Sequence, residues 1–234
     1  VHLLSPDGLT IAQTDTMPGG GLLPTSQWAP GQTYTEAYRV TVPGTAYTPD
    51  RGRWAVGLYD HATGQRLPIT LLTPTVNMLA ATDSLIFGEV ALAAPRGRVP
   101  NPASVDFLDQ VTLAGYSLSS RLLRPGDTLT VTLFWQARGA VPRDYTTFVH
   151  LLDSNFQTTG GHDAVPQPAT TMWAAGQIIT DTHSFMVSPS ARPGAYQLEI
   201  GLYTQPTFDR LRLLAAPGAE GADRLLMGGL KIED

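Results

Sequence analysis

The sequence predicts an all-β protein made of two tandem β-sandwich domains, the first of which lacks its N-terminal strands. Three observations predict this fold. The 234 residues include one Lys and only five Glu, the two residue types that commonly fill exposed helix faces. The chain also contains 23 Gly and 19 Pro, which is typical of many short strands joined by turns. Finally, motifs of the first half return in the second half.

The internal repeat is the strongest of these observations, because the matches keep their order and their spacing drifts only from 148 to 140 residues. The matched motifs are Val1-His2-Leu3-Leu4 with Val149-His150-Leu151-Leu152, Asp15 with Asp163, Thr25-x-x-Trp28 with Thr170-x-x-Trp173, Glu36 with Asp181, Gly57-Leu58-Tyr59 with Gly201-Leu202-Tyr203, Arg66-Leu67 with Arg210-Leu211, and residues 83–88 with 223–228. Small loop deletions would produce this drift, and chance is a poor explanation for so many matches in order.

The second copy predicts about seven strands, because its apolar residues alternate with polar ones. The predicted strands lie near 110–117, 127–136, 145–153, 178–187, 195–204, 209–214 and 225–232. Turn motifs such as Arg124-Pro125-Gly126-Asp127 separate them. Seven short strands in this length favour an antiparallel sandwich of immunoglobulin-like or jelly-roll type. In the first copy, Tyr38, Val40 and Val42 predict a strand that corresponds to 178–187.

The repeat also sets the expected domain boundaries. We expect a first domain over residues 1–92, a Pro- and Gly-rich linker over 93–103, and a complete second domain over 104–234. The first copy contains nothing that matches the first two strands of the second, and the chain starts without Met. Three explanations stay open: the strands are missing from a processed or incomplete chain, the domain is open, or another chain supplies a strand near residues 1–4.

Composition excludes several classes of function. The formal net charge of −5 is spread along the chain, which does not favour nucleic-acid binding. No apolar run is long enough to cross a membrane as a helix. The absence of Cys excludes a disulfide scaffold, a thiol nucleophile and a thiolate zinc site. No motif indicates a cofactor, and Ser residues lack the Gly-x-Ser-x-Gly arrangement of a hydrolase nucleophile.

Histidine and aspartate supply the first candidate site. His2 precedes Asp15 by 13 residues, and His150 precedes Asp163 by the same spacing. His150, Asp163 and His183 could form a metal or acid–base site, and Asp15 or Asp163 could bind Ca²⁺ together with loop carbonyls. The structural alternative, which we favour, is that the aspartates cap turns and the histidines bond to neighbouring strands.

Tryptophan supplies the second candidate site. Trp28 and Trp173 occupy the same loop motif, and aromatic faces stack on sugar rings. Together with Asp15, Asp163 and Asp181 they are the candidate residues for glycan or protein contact. The alternative, again favoured, is that each Trp plugs the end of a sandwich.

A longer string of motifs carries a family resemblance. The string consists of Gly115-Tyr116, Pro125-Gly126-Asp127, Phe134-Trp135, residues 145–152, Asp163-x-x-Pro166, Thr170-x-x-Trp173-x-x-Gly176, Asp181, Pro193-Gly194-x-Tyr196 and Gly201-Leu202-Tyr203. It resembles the β-sandwich domain that follows the membrane spans of bacterial dolichyl-phosphate-mannose mannosyltransferase-like proteins and recurs in large surface proteins. The resemblance covers 100–234 well and 1–92 in part. It implies an extracytoplasmic accessory domain without catalytic residues. Gln32 and Gln177 replace the usual acidic residue.

These observations predict a non-catalytic, extracellular or cell-surface structural or interaction module of a larger cell-surface or filament-forming assembly. The expected partner is a protein or a second copy of the chain, bound at the open edge of the first repeat. The alternative is a carbohydrate-binding accessory domain of a glycan-processing membrane protein. An enzyme is the third and least favoured hypothesis.

Overall fold

The structure, a computed structural model, describes residues 1–70, 78–80, 83–214 and 222–234. These residues form an all-β protein. The chain divides into two compact units: residues 1–43 with 50–92, and residues 44–49 with 93–234. Its described part contains three short 3₁₀-helices, Pro18–Gly21, Thr25–Gln27 and Thr170–Met172, and none of them could cross a lipid bilayer.

The first unit contains one antiparallel sheet of five strands. The strands are β1 (His2–Leu4), β2 (Thr10–Gln13), β3 (Asp50–Val56), β4 (Met78–Ala80) and β5 (Leu85–Leu92), in the spatial order β2-β1-β3-β5-β4. Strand β1 pairs with β2 on one side and with β3 on the other. The expected open edge at residues 1–4 is therefore wrong, because both sides of that strand carry a ladder.

The second unit is a sandwich of two sheets. Its strands are β6 (Pro102–Phe107), β7 (Val111–Leu118), β8 (Leu122–Leu123), β9 (Thr128–Ala137), β10 (Tyr145–Leu152), β11 (Thr158–Ala164), β12 (Ile178–Met186), β13 (Gly194–Thr204) and β14 (Leu225–Ile232). One sheet has the order β11-β10-β13-β14-β8 and the other β12-β9-β7-β6. All pairs are antiparallel except β14 with β8.

Alternating side chains build the core between these sheets. Leu129, Val131, Leu133 and Trp135 of β9 are all fully buried, as the alternation predicted. Residues from the opposing sheet, such as Leu198 and Ile200, complete the same cluster. The all-β sandwich predicted from the sequence is confirmed.

Three strands of the structure were not predicted, and one predicted strand, 209–214, does not form. Strand β6 begins at Pro102, inside the predicted linker, and β8 has only two residues. Strand β11 has no continuous apolar face, and its Gly160-Gly161 pair resembles a turn in sequence. A Cβ atom on Gly161 would lie 2.7 Å from the His150 ring, so close strand packing requires glycine there. Residues 209–214 form only isolated bridges.

Each unit contains a sheet of the same topology. Strands β1, β2, β3 and β5 match β10, β11, β13 and β14 in order and in register. Leu3 lies opposite Ala12 and Trp54, as Leu151 lies opposite Gly160 and Leu198. The register shifts also recur, after Leu3 and after Leu151. The repeat found in the sequence is thus a repeat of topology.

One segment of the first unit behaves differently. Residues 33–42 correspond to β12, yet they form no strand. In the second unit β12 pairs along its whole length with β9, whereas residues 33–42 join no ladder in the described part of the first unit. The predicted strand at Tyr38, Val40 and Val42 is therefore wrong for this structure, because an extended segment needs a neighbour for its backbone hydrogen bonds.

Matched leucines test this difference between the units. Leu202 is fully buried, whereas its repeat counterpart Leu58 is 43% exposed. We expect Leu202→Ala to lower the free energy of unfolding by about 2–5 kcal/mol, because it leaves a cavity. Leu58→Ala should change it by about 0.5 kcal/mol or less, as at other surface positions. Urea unfolding of both variants measures this, and equal losses would contradict the difference in packing.

Candidate functional site

A charged cluster covers the outer face of the sheet that contains β10 and β13. His150 lies between Val149 and Leu151, and Glu199 between Leu198 and Ile200. These four apolar neighbours are fully buried. Because successive side chains of a strand point to opposite faces, His150 and Glu199 must both point outward, and the ladder places them directly opposite each other.

His150 bridges two carboxylates. Its Nδ1 lies 2.9 Å from Glu199 Oε2, and its Nε2 lies 2.8 Å from Asp163 Oδ1. Only a ring that carries protons on both nitrogens donates to both acceptors at once. The Tyr203 hydroxyl donates to Asp163 Oδ2 over 3.1 Å. Burial, followed by the charge of Asp163, raises the pKa of Tyr203, so this phenol stays protonated as a donor.

Glu199 is the buried centre of the cluster. The Nη1 atoms of Arg210 and Arg224 each lie 3.3 Å from its Oε1. The guanidinium carbon of Arg210 also lies 4.5 Å above the centre of the Phe148 ring, a cation–π contact. A carboxylate out of water is stable only when its charge is compensated. Here two arginines do so, and the His150 ring is a further hydrogen-bond partner.

The first unit repeats part of this cluster. His2 Nε2 lies 3.0 Å from Asp15 Oδ1, and Arg66 Nη1 lies 3.7 Å from Asp83 Oδ2. Ala55 occupies the position of Glu199, so the buried acidic centre is missing. A cavity of about 350 Å³ lies beside these residues and is lined by His2, Asp15, Gly57, Tyr59 and Arg66, among others.

His183 does not join His150 and Asp163. It belongs to β12 of the opposite sheet, is fully buried and points into the sandwich, whereas His150 lies on the outer face. The predicted three-residue site is therefore not assembled, although its His150–Asp163 pair is. In the described ranges, no group of three or more His, Asp or Glu residues is placed to hold a metal ion.

Asp181 is also internal. Its Oδ2 accepts a hydrogen bond from the Trp135 indole over 3.2 Å and lies 3.2 Å from His183 Nε2. It is therefore separated from the outer cluster that holds Asp163. Asp15 and Asp163 both engage a histidine, which explains the equal 13-residue spacing seen in the sequence.

The two repeated tryptophans share local geometry but differ in burial. Each follows a 3₁₀-helix and donates its indole N–H to a carbonyl five residues earlier, Trp28 to Leu23 and Trp173 to Pro168. Trp173 is 3% exposed and belongs to the core, whereas Trp28 is 37% exposed and stacks on Tyr34 at 4.8 Å. Only Trp173 acts as the expected plug.

Sequence reasoning missed Glu199, Arg210, Tyr203 and Arg224. Two signals mark three of them. Glu199 is a charged residue at an outward position of an otherwise apolar strand, and Arg210 and Tyr203 both recur in the repeat as Arg66 and Tyr59. Arg224 does not recur, since Ser84 stands at its position in the first unit.

The comparisons with known proteins give little guidance. The sequence matches no protein-family model and no curated protein. Among solved structures, the β-glucosidase from Listeria innocua is similar, both in complex with glucose and in a second crystal structure. The identity is 12% in both, the TM-scores are 0.32 and 0.30, and the matches cover 61% and 60% of this chain. They cover 19% of each glucosidase chain.

Glu199 should stabilise the second unit. Glu199→Ala leaves the guanidinium groups of Arg210 and Arg224 and the His150 ring without their shared acceptor. We expect a loss of about 2–4 kcal/mol, because breaking a buried ion pair is costly. The control is Glu89→Ala, which removes an exposed pair with Arg51 and should cost about 1 kcal/mol or less. Urea unfolding measures both, and a neutral Glu199→Ala would contradict the importance of the cluster.

Proposed function

We propose that the chain is a non-catalytic interaction module of a larger extracytoplasmic assembly, and that its first unit binds a complementary β-strand. One observation carries the proposal. The first unit reproduces one sheet of the sandwich, but residues 33–42, which correspond to an edge strand of the other sheet, have no ladder partner in the described part of that unit.

Burial along the sheet supports an incoming strand. Eight apolar residues of the first unit are half-buried or exposed: Val1, Trp54, Val56, Leu58, Leu85, Phe87, Val90 and Leu92. Their counterparts in the second unit are all buried: Val149, Leu198, Ile200, Leu202, Leu225, Met227, Leu230 and Ile232. Burying apolar surface of this kind is worth roughly 25 cal/mol per Å², so the face favours an apolar partner.

Residues 33–42 provide the backbone for pairing. Tyr34, Tyr38, Val40 and Val42 keep the period-two pattern of a strand, and Tyr38 and Val42 are each 38% exposed. Addition of a strand to such a segment supplies main-chain hydrogen bonds, while alternate side chains give specificity. The occupant we propose is a strand from outside residues 1–92 with the alternating apolar pattern of β9.

The outer cluster supports a non-catalytic role. Hydrogen bonds connect the side chains of the cluster to one another: His150 to Asp163 and Glu199, and Arg210 to Glu199. A general base or nucleophile must have a polar atom free to reach a substrate. The same groups serve the fold by compensating a buried carboxylate, so the cluster is explained without a reaction. The extracytoplasmic location in this proposal rests on the family resemblance.

A glycan-binding role remains the alternative, and it would depend on Trp28. The Trp173 ring is buried in the core, so of the two repeated tryptophans only Trp28 can stack on a sugar. Trp28 already stacks on Tyr34, which leaves one face for a ligand. Loss of glycan binding in Trp28→Ala but not in the exposed control Tyr59→Ala would favour this alternative.

A peptide with the sequence of residues 127–138 tests the proposed strand pairing. Added to the full chain, it should slow amide hydrogen exchange in residues 33–42 at least tenfold, because paired amides are protected. A control peptide with Ser at the positions of Leu129, Val131, Leu133 and Trp135 should give no protection. Val40→Pro should also abolish the effect, since Pro cannot donate to a ladder.

Equal protection by both peptides, or none by either, would contradict strand pairing. Exchange in residues 178–186 is followed in the same experiment, because these residues already pair with β9. Their amides should stay protected throughout. This result distinguishes binding of the peptide to the first unit from displacement of β9 by the peptide.

A further inference from the structure

Two histidines meet where the two sheets of the second unit approach each other. His162 lies on β11 and His183 on β12, the edge strands of opposite sheets. Their Nδ1 atoms are 3.1 Å apart, and their ring centres are 5.1 Å apart at 67°. His162 is exposed, whereas His183 is completely buried. The pair thus connects solvent with the interior of the sandwich.

Both nitrogens of His183 have a polar atom close by. Its Nδ1 lies 3.1 Å from the backbone carbonyl oxygen of His162, and its Nε2 lies 3.2 Å from Asp181 Oδ2 without making a hydrogen bond. A neutral ring has a single N–H. When that N–H is on Nε2, the lone pair of Nδ1 is left facing the Nδ1 atom of His162, 3.1 Å away.

The repeat offers a reference for the side chain beside the carboxylate. In the first unit Glu36 corresponds to Asp181 and Tyr38 to His183, and the Tyr38 hydroxyl donates to Glu36 Oε2 over 2.5 Å. A ring that ligates a metal ion through Nδ1 likewise carries its proton on Nε2, the nitrogen that lies 3.2 Å from Asp181 Oδ2.

We propose that His162 and His183 bind a divalent transition-metal ion of the zinc and copper class through their Nδ1 atoms. Two imidazole nitrogens on tetrahedral Zn²⁺, each about 2.0–2.1 Å from the metal, lie about 3.3 Å apart. The separation in the structure is 3.1 Å, so small ring rotations admit the ion. The His162 carbonyl oxygen is a third donor atom at the same place, and water completes the coordination.

Asp181 fits this site as a supporting group. A histidine that ligates a metal commonly presents its other ring nitrogen to a carboxylate, which fixes the tautomer and raises the basicity of the ligand. Asp181 is itself held by the Trp135 indole. Because only two side chains ligate directly, the ion is exchangeable rather than a permanent structural metal.

The first unit offers an internal comparison. Thr14 and Tyr38 stand where the second unit has His162 and His183, so the first copy lacks both imidazoles. The site is therefore specific to the second unit, and one ion per chain is expected.

Isothermal titration of the full chain with Zn²⁺ at neutral pH tests the proposal. We expect one site, with the affinity lowered at least tenfold by His162→Gln, which changes an exposed side chain. His61→Gln is the control, because it removes an exposed histidine of the first unit, and it should bind as the unchanged chain does. His183→Gln risks misfolding, so a second measurement replaces it.

Nitrogen-15 spectra of labelled histidines supply that measurement. Zn²⁺ should shift the Nδ1 signals of two histidine rings, and these shifts should be lost or altered in His162→Gln. The Nε2 signal of the buried ring should remain that of a protonated nitrogen. Absence of binding, an unchanged affinity in His162→Gln, or a buried ring that carries protons on both nitrogens in the presence of Zn²⁺ would each overturn the proposal.

Discussion

The register of β10 against its two neighbours is the constraint on which the rest of the second unit depends. Val149 and Leu151 enter the core only if His150 points outward, and the pairing with β13 then places Glu199 beside it. A slip of one residue would exchange the two faces. It would bury His150 among apolar side chains and expose the leucines, so the packing of the core and the geometry of the outer cluster are fixed together.

The two units show that a strand depends on a neighbour as much as on its own pattern. Residues 33–42 have the alternation of β12, but they form no strand where β9 has no counterpart among the described residues. Trp28 and Trp173 show the same dependence for burial. Their 3₁₀-helices and indole hydrogen bonds agree closely, yet only the tryptophan beneath a complete sandwich is buried. Local sequence determines local geometry here, and the opposing sheet determines burial.

This dependence explains how far the sequence could predict the structure. Strands β9, β12 and β13 were predictable because their alternation records a buried and an exposed face. Strand β11 was not, since it is an edge strand whose glycines are required by close neighbours, Gly161 by the His150 ring and Gly160 by the Met186 backbone. The pairing of His150 with Asp163 was visible as a repeated spacing. The separation of His183 from His150 was not, because alternation puts Asp181 and His183 on the inner face of β12 but does not show that β12 and β10 belong to different sheets.

Both units carry a carboxylate at the same position of the repeat, Asp181 in the second unit and Glu36 in the first, but only Asp181 is buried. In the second unit Asp181 is enclosed by the sandwich and has an indole and an imidazole as neighbours. In the first unit Glu36 already holds the hydroxyl of Tyr38, whose pKa this hydrogen bond raises to about 12, and it also accepts from the Gly19 amide. A strand that covers residues 33–42 would therefore bury a carboxylate whose donors are in place, without further charge. The second unit has His183 at the position of Tyr38. The Nδ1 lone pair of this ring can bind a metal ion, whereas the Tyr38 hydroxyl in the first unit is already bound to Glu36.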